Sequence, residues 1–374
     1  MRGIYFSYID IDHQASLGIH KKIEGQIRAF KTLGVDISHV YFRSRELFFE
    51  GKRVAVYRNK IHKKLHYWRA SIQIAREFKT DFVLIRYVFP SHIGTLLFLK
   101  QLTKQGVIVV LEVPTYPYDK EVKGNWAKLI GLFIDKSFRN FLKYHVQLVV
   151  TPAKGVESIF GVKAVNIPNG VDLSFMPKKS TSALSTEVFN MIAVANVNFW
   201  HGYDRVVRGL ANYYKSTYSR KVYFHVVGSG EGLEDLKKMS VKLGVSEYVV
   251  FHGPKTGTEL DTLFDQAHVA IGCLGIHRIK IAVSSALKVR EYCARGVPFV
   301  LAGSDPDFPN DFPYMLRVPE NDTPIDIGQV LDFYERVCKT NYVDEMRKFA
   351  EQNLSWESKL RPLVEEIKHL TSEM

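Results

Sequence analysis

Two runs of strand and helix alternation, separated by one polar break, decide what this chain can become. Short apolar segments at residues 4–8, 35–40, 82–85, 107–111 and 146–150 are separated by stretches of helical period. In the first of these Ile19, Ile23, Ile27 and Phe30 recur at three- and four-residue spacing, and Gly34 closes the turn. The chain then bends at Pro168-Asn169-Gly170 and runs through a polar, Ser- and Thr-rich stretch at 178–187. Beyond it strands are expected at 191–194, 222–227, 248–251, 269–272 and 298–301, and helices at 203–214, 233–243, 259–266 and 285–295. Alternation of this kind means a mostly parallel sheet with helices on both faces, so the expected fold class is α/β with two doubly wound domains. Their expected bounds are 1–168 and 188–324, with helices over 325–374 packing back across both.

Charge divides the same way. Residues 1–168 hold 27 Lys/Arg against 13 Asp/Glu, a balance of +14, whereas residues 169–374 balance at −2. Only the first half is therefore suited to an anionic partner. The basic residues sit in no recognisable nucleic-acid-binding module, so nucleic acid is not expected, and an anionic membrane surface or lipid-linked acceptor fits better. Residues 43–79 carry 11 Lys/Arg and 3 Asp/Glu around Tyr67 and Trp68, and residues 126–146 interleave Leu129, Phe133 and Phe141 with Lys136, Arg139 and Lys143. No stretch approaches the about 20 apolar residues of a membrane span. The first residues read as a strand rather than a secretory signal. Cys273, Cys293 and Cys338 fit no metal spacing and suggest reduced thiols. The expected setting is cytoplasmic, peripheral to the inner face of the cell membrane.

Two stretches carry chemistry. His225-Val226-Val227-Gly228-Ser229-Gly230 ends a strand in a glycine-rich turn before a helix, where backbone amides can approach a phosphate. The second is Ser284-Ser285-Ala286-Leu287-Lys288-Val289-Arg290-Glu291. Ser285 or its neighbour can cap the helix and set its first amides and Lys288 around a diphosphate, while Glu291 can accept from ribose hydroxyls. Equally, Lys288 and Glu291 have the spacing of an ordinary surface ion pair.

Together these stretches resemble glycosyltransferase family 4, retaining enzymes of the GT-B fold, in which two Rossmann-like domains face each other across a cleft. The most specific match is Leu287-Lys288-x-x-Glu291-Tyr292-x-Ala294-x-Gly296-x-Pro298. The resemblance implies transfer of a sugar from a nucleotide-sugar, expected to be UDP-linked, to a glycan or lipid-linked acceptor, with no metal or other cofactor. It implies that Glu291 holds the ribose, Gly228 and Gly230 lie beneath the diphosphate, His252 and Gly253 face the base, and Gly18 belongs to a phosphate-approaching loop of the first domain. Two positions depart from the family. Val283 stands where a donor-contacting glutamate is usual, and His201 stands where a lysine is usual, with no arginine before it. Lys288 and Arg205 are then the expected sources of positive charge, with His201 as a neutral donor. A non-catalytic binding subunit and a nucleotide-sugar epimerase are the alternatives.

Glu112 ends the apolar run at 107–111. It is expected at the carboxyl edge of the first sheet, either orienting an acceptor hydroxyl or paired with a lysine.

Overall fold

The computed structural model describes residues 1–13, 16–121, 126–180, 187–216, 220–280 and 286–373. The chain divides into one unit of residues 1–169 with 356–374 and another of residues 170–355.

In the first unit the elements run β1 (Arg2–Asp10), α1 (Leu17–Thr32), β2 (Asp36–Arg43), β3 (Glu46–Phe49), β4 (Lys52–Val56), α2 (Lys60–Phe78), β5 (Phe82–Arg86), α3 (Ile93–Thr103), β6 (Ile108–Glu112), α4 (Trp126–Phe138), β7 (Leu148–Thr151), β8 (Ser158–Ile159) and β9 (Val162–Asn166). They build a nine-stranded sheet in the order β4-β3-β2-β1-β5-β6-β7-β9-β8. The apolar runs expected from sequence are its central strands, paired in parallel and buried on both faces. The hairpin β3–β4 was not anticipated. It pairs antiparallel to β2, and Glu50 and Gly51 both take positive φ in its two-residue turn.

In the second unit the elements are β10 (Val188–Val194), α5 (Tyr203–Lys215), β11 (Lys221–Val227), α6 (Leu233–Lys242), β12 (Val249–Gly253), α7 (Thr258–Gln266), β13 (Val269–Ile271), α8 (Leu287–Arg295), β14 (Phe299–Ala302), β15 (Met315–Val318), α9 (Ile327–Val337) and α10 (Tyr342–Asn353). The sheet is wholly parallel, in the order β12-β11-β10-β13-β14-β15. Strands are laid outward from β10 to β12, and the chain then returns to the other side of β10 at β13. That reversal is the point beyond whose strand ends doubly wound sheets bind ligands.

The helices grouped together from sequence at 325–374 part company. α9 and α10 belong to the second unit, whereas α11 (Trp356–Ser372) belongs to the first. Trp356, Leu360, Leu363, Val364 and Ile367 of α11 join Tyr5, Leu84 and Val110 in one core. Its apolar stripe supplies a helical cover that the first 169 residues leave unfilled.

Candidate functional site

At the carboxyl edge of the second sheet, the loop after β10 and the turn after β11 lie backbone against backbone. A Cβ on Gly228 would strike the Ala195 carbonyl, and one on Gly230 would strike both polar backbone atoms of Val197. Both glycines hold positive φ, so no other residue fits this turn. Val197 donates to the Ser229 carbonyl at 2.5 Å, and Gly228 donates to the Gly253 carbonyl at 2.8 Å. The Gly228 amide is thus already used. α6, which follows the turn, carries Glu234 and Asp235 in its first turn, opposing an anion there.

α8 has the opposite electrostatics. Its first turn holds no acidic residue, and Lys288 lies within it. Lys288 Nζ donates to Tyr203 Oη at 3.3 Å and sits 5.7 Å from the Tyr203 ring centroid. Among the described residues it has no carboxylate within ion-pair distance. Burial pushes its pKa from 10.5 down to about 8. Across the same tyrosine, the His201 ring stacks at 5.3 Å and 23°. His201 Nδ1 accepts the Asn198 amide at 3.0 Å, which places the proton of the neutral ring on Nε2. Burial, then the Lys288 charge, lowers the His201 pKa to about 4. A cation and a neutral N–H donor thus share one aromatic platform.

Arg205 does not join them. It is fully buried, its Nε donating to the Thr323 carbonyl at 2.7 Å and its Nη1 to the Leu274 carbonyl at 2.5 Å. The expected supply of charge to a ligand is therefore replaced by a bracing role, because the guanidinium is turned onto backbone carbonyls. Arg278, which sequence reasoning did not single out, braces the same region. It grips both oxygens of Asp204 at 2.8 and 2.9 Å and donates to the Phe199 carbonyl at 2.7 Å, fixing the turn that presents His201.

Glu291 pairs with Arg295 at 2.9 Å rather than with Lys288, and Arg295 also meets Asp261 at 2.7 Å. About a fifth of the Glu291 side chain remains exposed, leaving room to accept from a ligand hydroxyl. His252 faces His225, with Nε2 to Nδ1 at 2.9 Å; His225 Nε2 meets Asn190 Oδ1 at 3.2 Å. Because the Asn190 amide nitrogen donates to the Gln266 carbonyl, its oxygen faces His225, and the relay leaves His252 Nδ1 as an acceptor. Gly253 follows in a positive-φ turn. Ser285, like Val283 and Ser284, lies outside the described residues.

In the first unit, Gly18 is exposed in the first turn of α1, with open space where a Cβ would stand. Glu112 is buried against Tyr5 Oη, Arg86 at 2.9 Å and Lys22 at 3.3 Å. Burial alone would raise its pKa, but Lys22 and Arg86 outweigh that and hold it below the usual carboxylate value. Of its two expected roles, this geometry is the paired one. A cavity of about 400 Å³ opens at the carboxyl ends of β1 and β2, walled by Tyr8, Phe42 and Tyr67 with Asp10, Arg45 and Lys63. A larger one, about 550 Å³, flanks α1 and β2 around Arg28, His39 and Tyr41. Among the described residues no group of three or more His, Cys, Asp or Glu is arranged to hold a metal ion.

No protein-family model matches the chain, and no curated protein sequence does. Solved structures do. A glycosyltransferase from Rickettsia africae superposes with a TM-score of 0.64 at 14% identity, over 100% of this chain and 99% of its own. The fold is GT-B. The same GT-B likeness extends to sucrose-phosphate synthase from Thermosynechococcus elongatus (TM-score 0.59, 12% identity, 100% of both chains). Anabaena HepE in complex with UDP is similar over 99% of this chain and 100% of its own (TM-score 0.60, 13% identity). These proteins share only 12–14% of their sequence with the chain, so the likeness identifies the architecture and does not single out family 4 within it.

Proposed function

We propose that the chain is a retaining glycosyltransferase that moves a sugar from a UDP-linked donor to a hydroxyl of a glycan or lipid-linked acceptor. The observation that carries this reading is the Lys288–Tyr203–His201 cluster at the start of α8. An ammonium with no carboxylate partner among the described residues, a neutral Nε2–H and the positive end of the α8 dipole suit the charge that gathers on a leaving diphosphate. Glu291 is assigned to the ribose, the Gly228–Gly230 turn to the diphosphate's flank, and His252 to the base. The choice of uridine rests on the UDP that the similar Anabaena protein binds. The aromatic-walled cavity of the first unit is assigned to the acceptor.

In the reaction the bond from the anomeric carbon to the diphosphate oxygen breaks, and its electron pair leaves with the diphosphate. The acceptor oxygen bonds to the same face of the anomeric carbon, and its proton passes to the departing phosphate oxygen. Lys288 and His201 stabilise that departing charge, so the protein needs no covalent nucleophile.

Calorimetric titration with UDP and GDP tests the reading. UDP is expected to bind more tightly, and Glu291→Ala to weaken it at least tenfold, since a hydrogen bond to a charged group is worth about 1.5–3 kcal/mol. Unchanged UDP affinity in that variant removes Glu291 from the site.

A further inference from the structure

Helix α4 of the first unit presents an apolar stripe to solvent and a buried carboxylate to the protein. Its outward face carries Trp126, Leu129, Ile130 and Phe133, which are 75%, 53%, 48% and 74% exposed. Its inward face carries Asp135, 0% exposed, which accepts from Tyr87 Oη at 2.5 Å, Tyr118 Oη at 2.5 Å and the Ser91 amide at 2.8 Å. One turn earlier on that face, Gly131 packs closely on Phe89. A helix on a water-facing surface buries its apolar stripe and exposes its polar one; here a satisfied polar network and the half-buried Leu132, Ile134 and Phe138 hold the helix down, while Trp126, Leu129, Ile130 and Phe133 form a second apolar stripe that points away from the protein. The stripe continues past the helix end, where Phe141 and Tyr144 are also exposed.

We infer that this face is a membrane-docking surface, with α4 lying in the plane of an anionic bilayer and its aromatic side chains inserted among the headgroups. Three observations select a bilayer as the occupant. Trp, Phe and Tyr with flanking lysines are the side chains suited to the interface between water and hydrocarbon. Lys136 and Lys143 are exposed beside the stripe, and Lys143 Nζ lies 5.3 Å from the Tyr144 ring. Residues 1–168, which include the helix, hold 27 Lys/Arg against 13 Asp/Glu, a charge complementary to acidic lipid. Among the described residues no helix is long and apolar enough to cross a membrane. The thirteen residues of α4 extend only about 20 Å, which suits insertion along the surface.

Docking there would bring the protein to where a lipid-linked acceptor resides, but the surface stands without the transferase reading, and its test uses no nucleotide. The full chain is cosedimented with vesicles of phosphatidylcholine alone or mixed with phosphatidylglycerol, at low and high salt. Binding is expected to require phosphatidylglycerol, to weaken with salt, and to fall at least tenfold in a W126S/F133S double variant. Both side chains are exposed, so the variant's melting temperature and UDP affinity should match the wild type's. Absence of vesicle binding by the wild type overturns the proposal. Equal binding by wild type and variant overturns it too, since charge alone would then suffice. A wild-type dimer that the double variant dissolves, without vesicle binding, assigns the face to a second copy and equally overturns it.

Discussion

Replacing Lys288 by methionine separates a residue kept for chemistry from one kept for stability, because the two roles predict opposite signs in the melt. Among the described residues the ammonium has only Tyr203 Oη, at 3.3 Å, as a hydrogen-bond partner, and burial lowers its pKa from 10.5 to about 8. At neutral pH it stays mostly protonated, so the folded state carries the desolvation cost of a cation. That shift corresponds to roughly 3 kcal/mol at most, less in a side chain that is still partly wetted. Methionine keeps the length of the chain and removes the charge. K288M is therefore expected to melt a few degrees above the wild type at pH 7 while turnover falls about a hundredfold or more, as on loss of an aimed transition-state donor. Between pH 8 and 10.5 the unfolded chain still holds the proton that the folded chain has lost. Wild-type stability therefore gains with rising pH across that window, and the advantage of K288M fades. Differential scanning fluorimetry at several pH values, with kcat/KM for the same preparations, measures both effects. A variant that melts below the wild type and turns over normally refutes the reasoning, because the lysine would then be stabilising and idle.

Other expectations follow from the same geometry. His201→Phe keeps a ring on Tyr203 but loses the Nε2–H, so kcat should fall at least tenfold with the fold intact. With the imidazole pKa lowered to about 4, wild-type activity should show no inflection from this residue near pH 6.5. Its stability contribution should fall as pH drops from 6.5 toward 4, because the unfolded chain takes up the proton first. Gly230→Ala forces a Cβ onto the Val197 backbone in a positive-φ turn; it should cost at least about 2 kcal/mol in chemical denaturation and abolish nucleotide binding. Asp305→Ala leaves Arg290 buried with one of its carboxylate partners removed, and should cost about 3–5 kcal/mol in the same assay.

Much of the scaffold was legible in the sequence because parallel strands buried on both faces appear as unbroken apolar runs, as at Phe82–Arg86 and Ile108–Glu112. The hairpin at Glu46–Phe49 and Lys52–Val56 was not, since its outer strand is exposed and its lysine and arginine register only as charge. Lys288 and His201 could be nominated from local motifs, but their meeting across Tyr203 depends on two helix starts, with Tyr203 and Lys288 85 residues apart. Arg205 and Arg278 look alike in sequence. What separates their surroundings is tertiary: carbonyls at Thr323 and Leu274 for one, carboxylates 74 and 44 residues away for the other. The apolar spacing of α4 was visible as well. That the stripe faces outward is set by tertiary contacts, with Tyr87 and Tyr118 closing on Asp135 on the opposite face.

Whether the folded chain turns over a nucleotide-sugar is decided by incubating the purified protein with a donor panel and detecting released nucleotide by mass spectrometry. UDP is expected to be released from at least one UDP-sugar, faster when a matching acceptor is present. Release of no nucleotide from any donor, by protein that still binds UDP, would contradict the transferase reading and leave a nucleotide-sugar-binding subunit in its place.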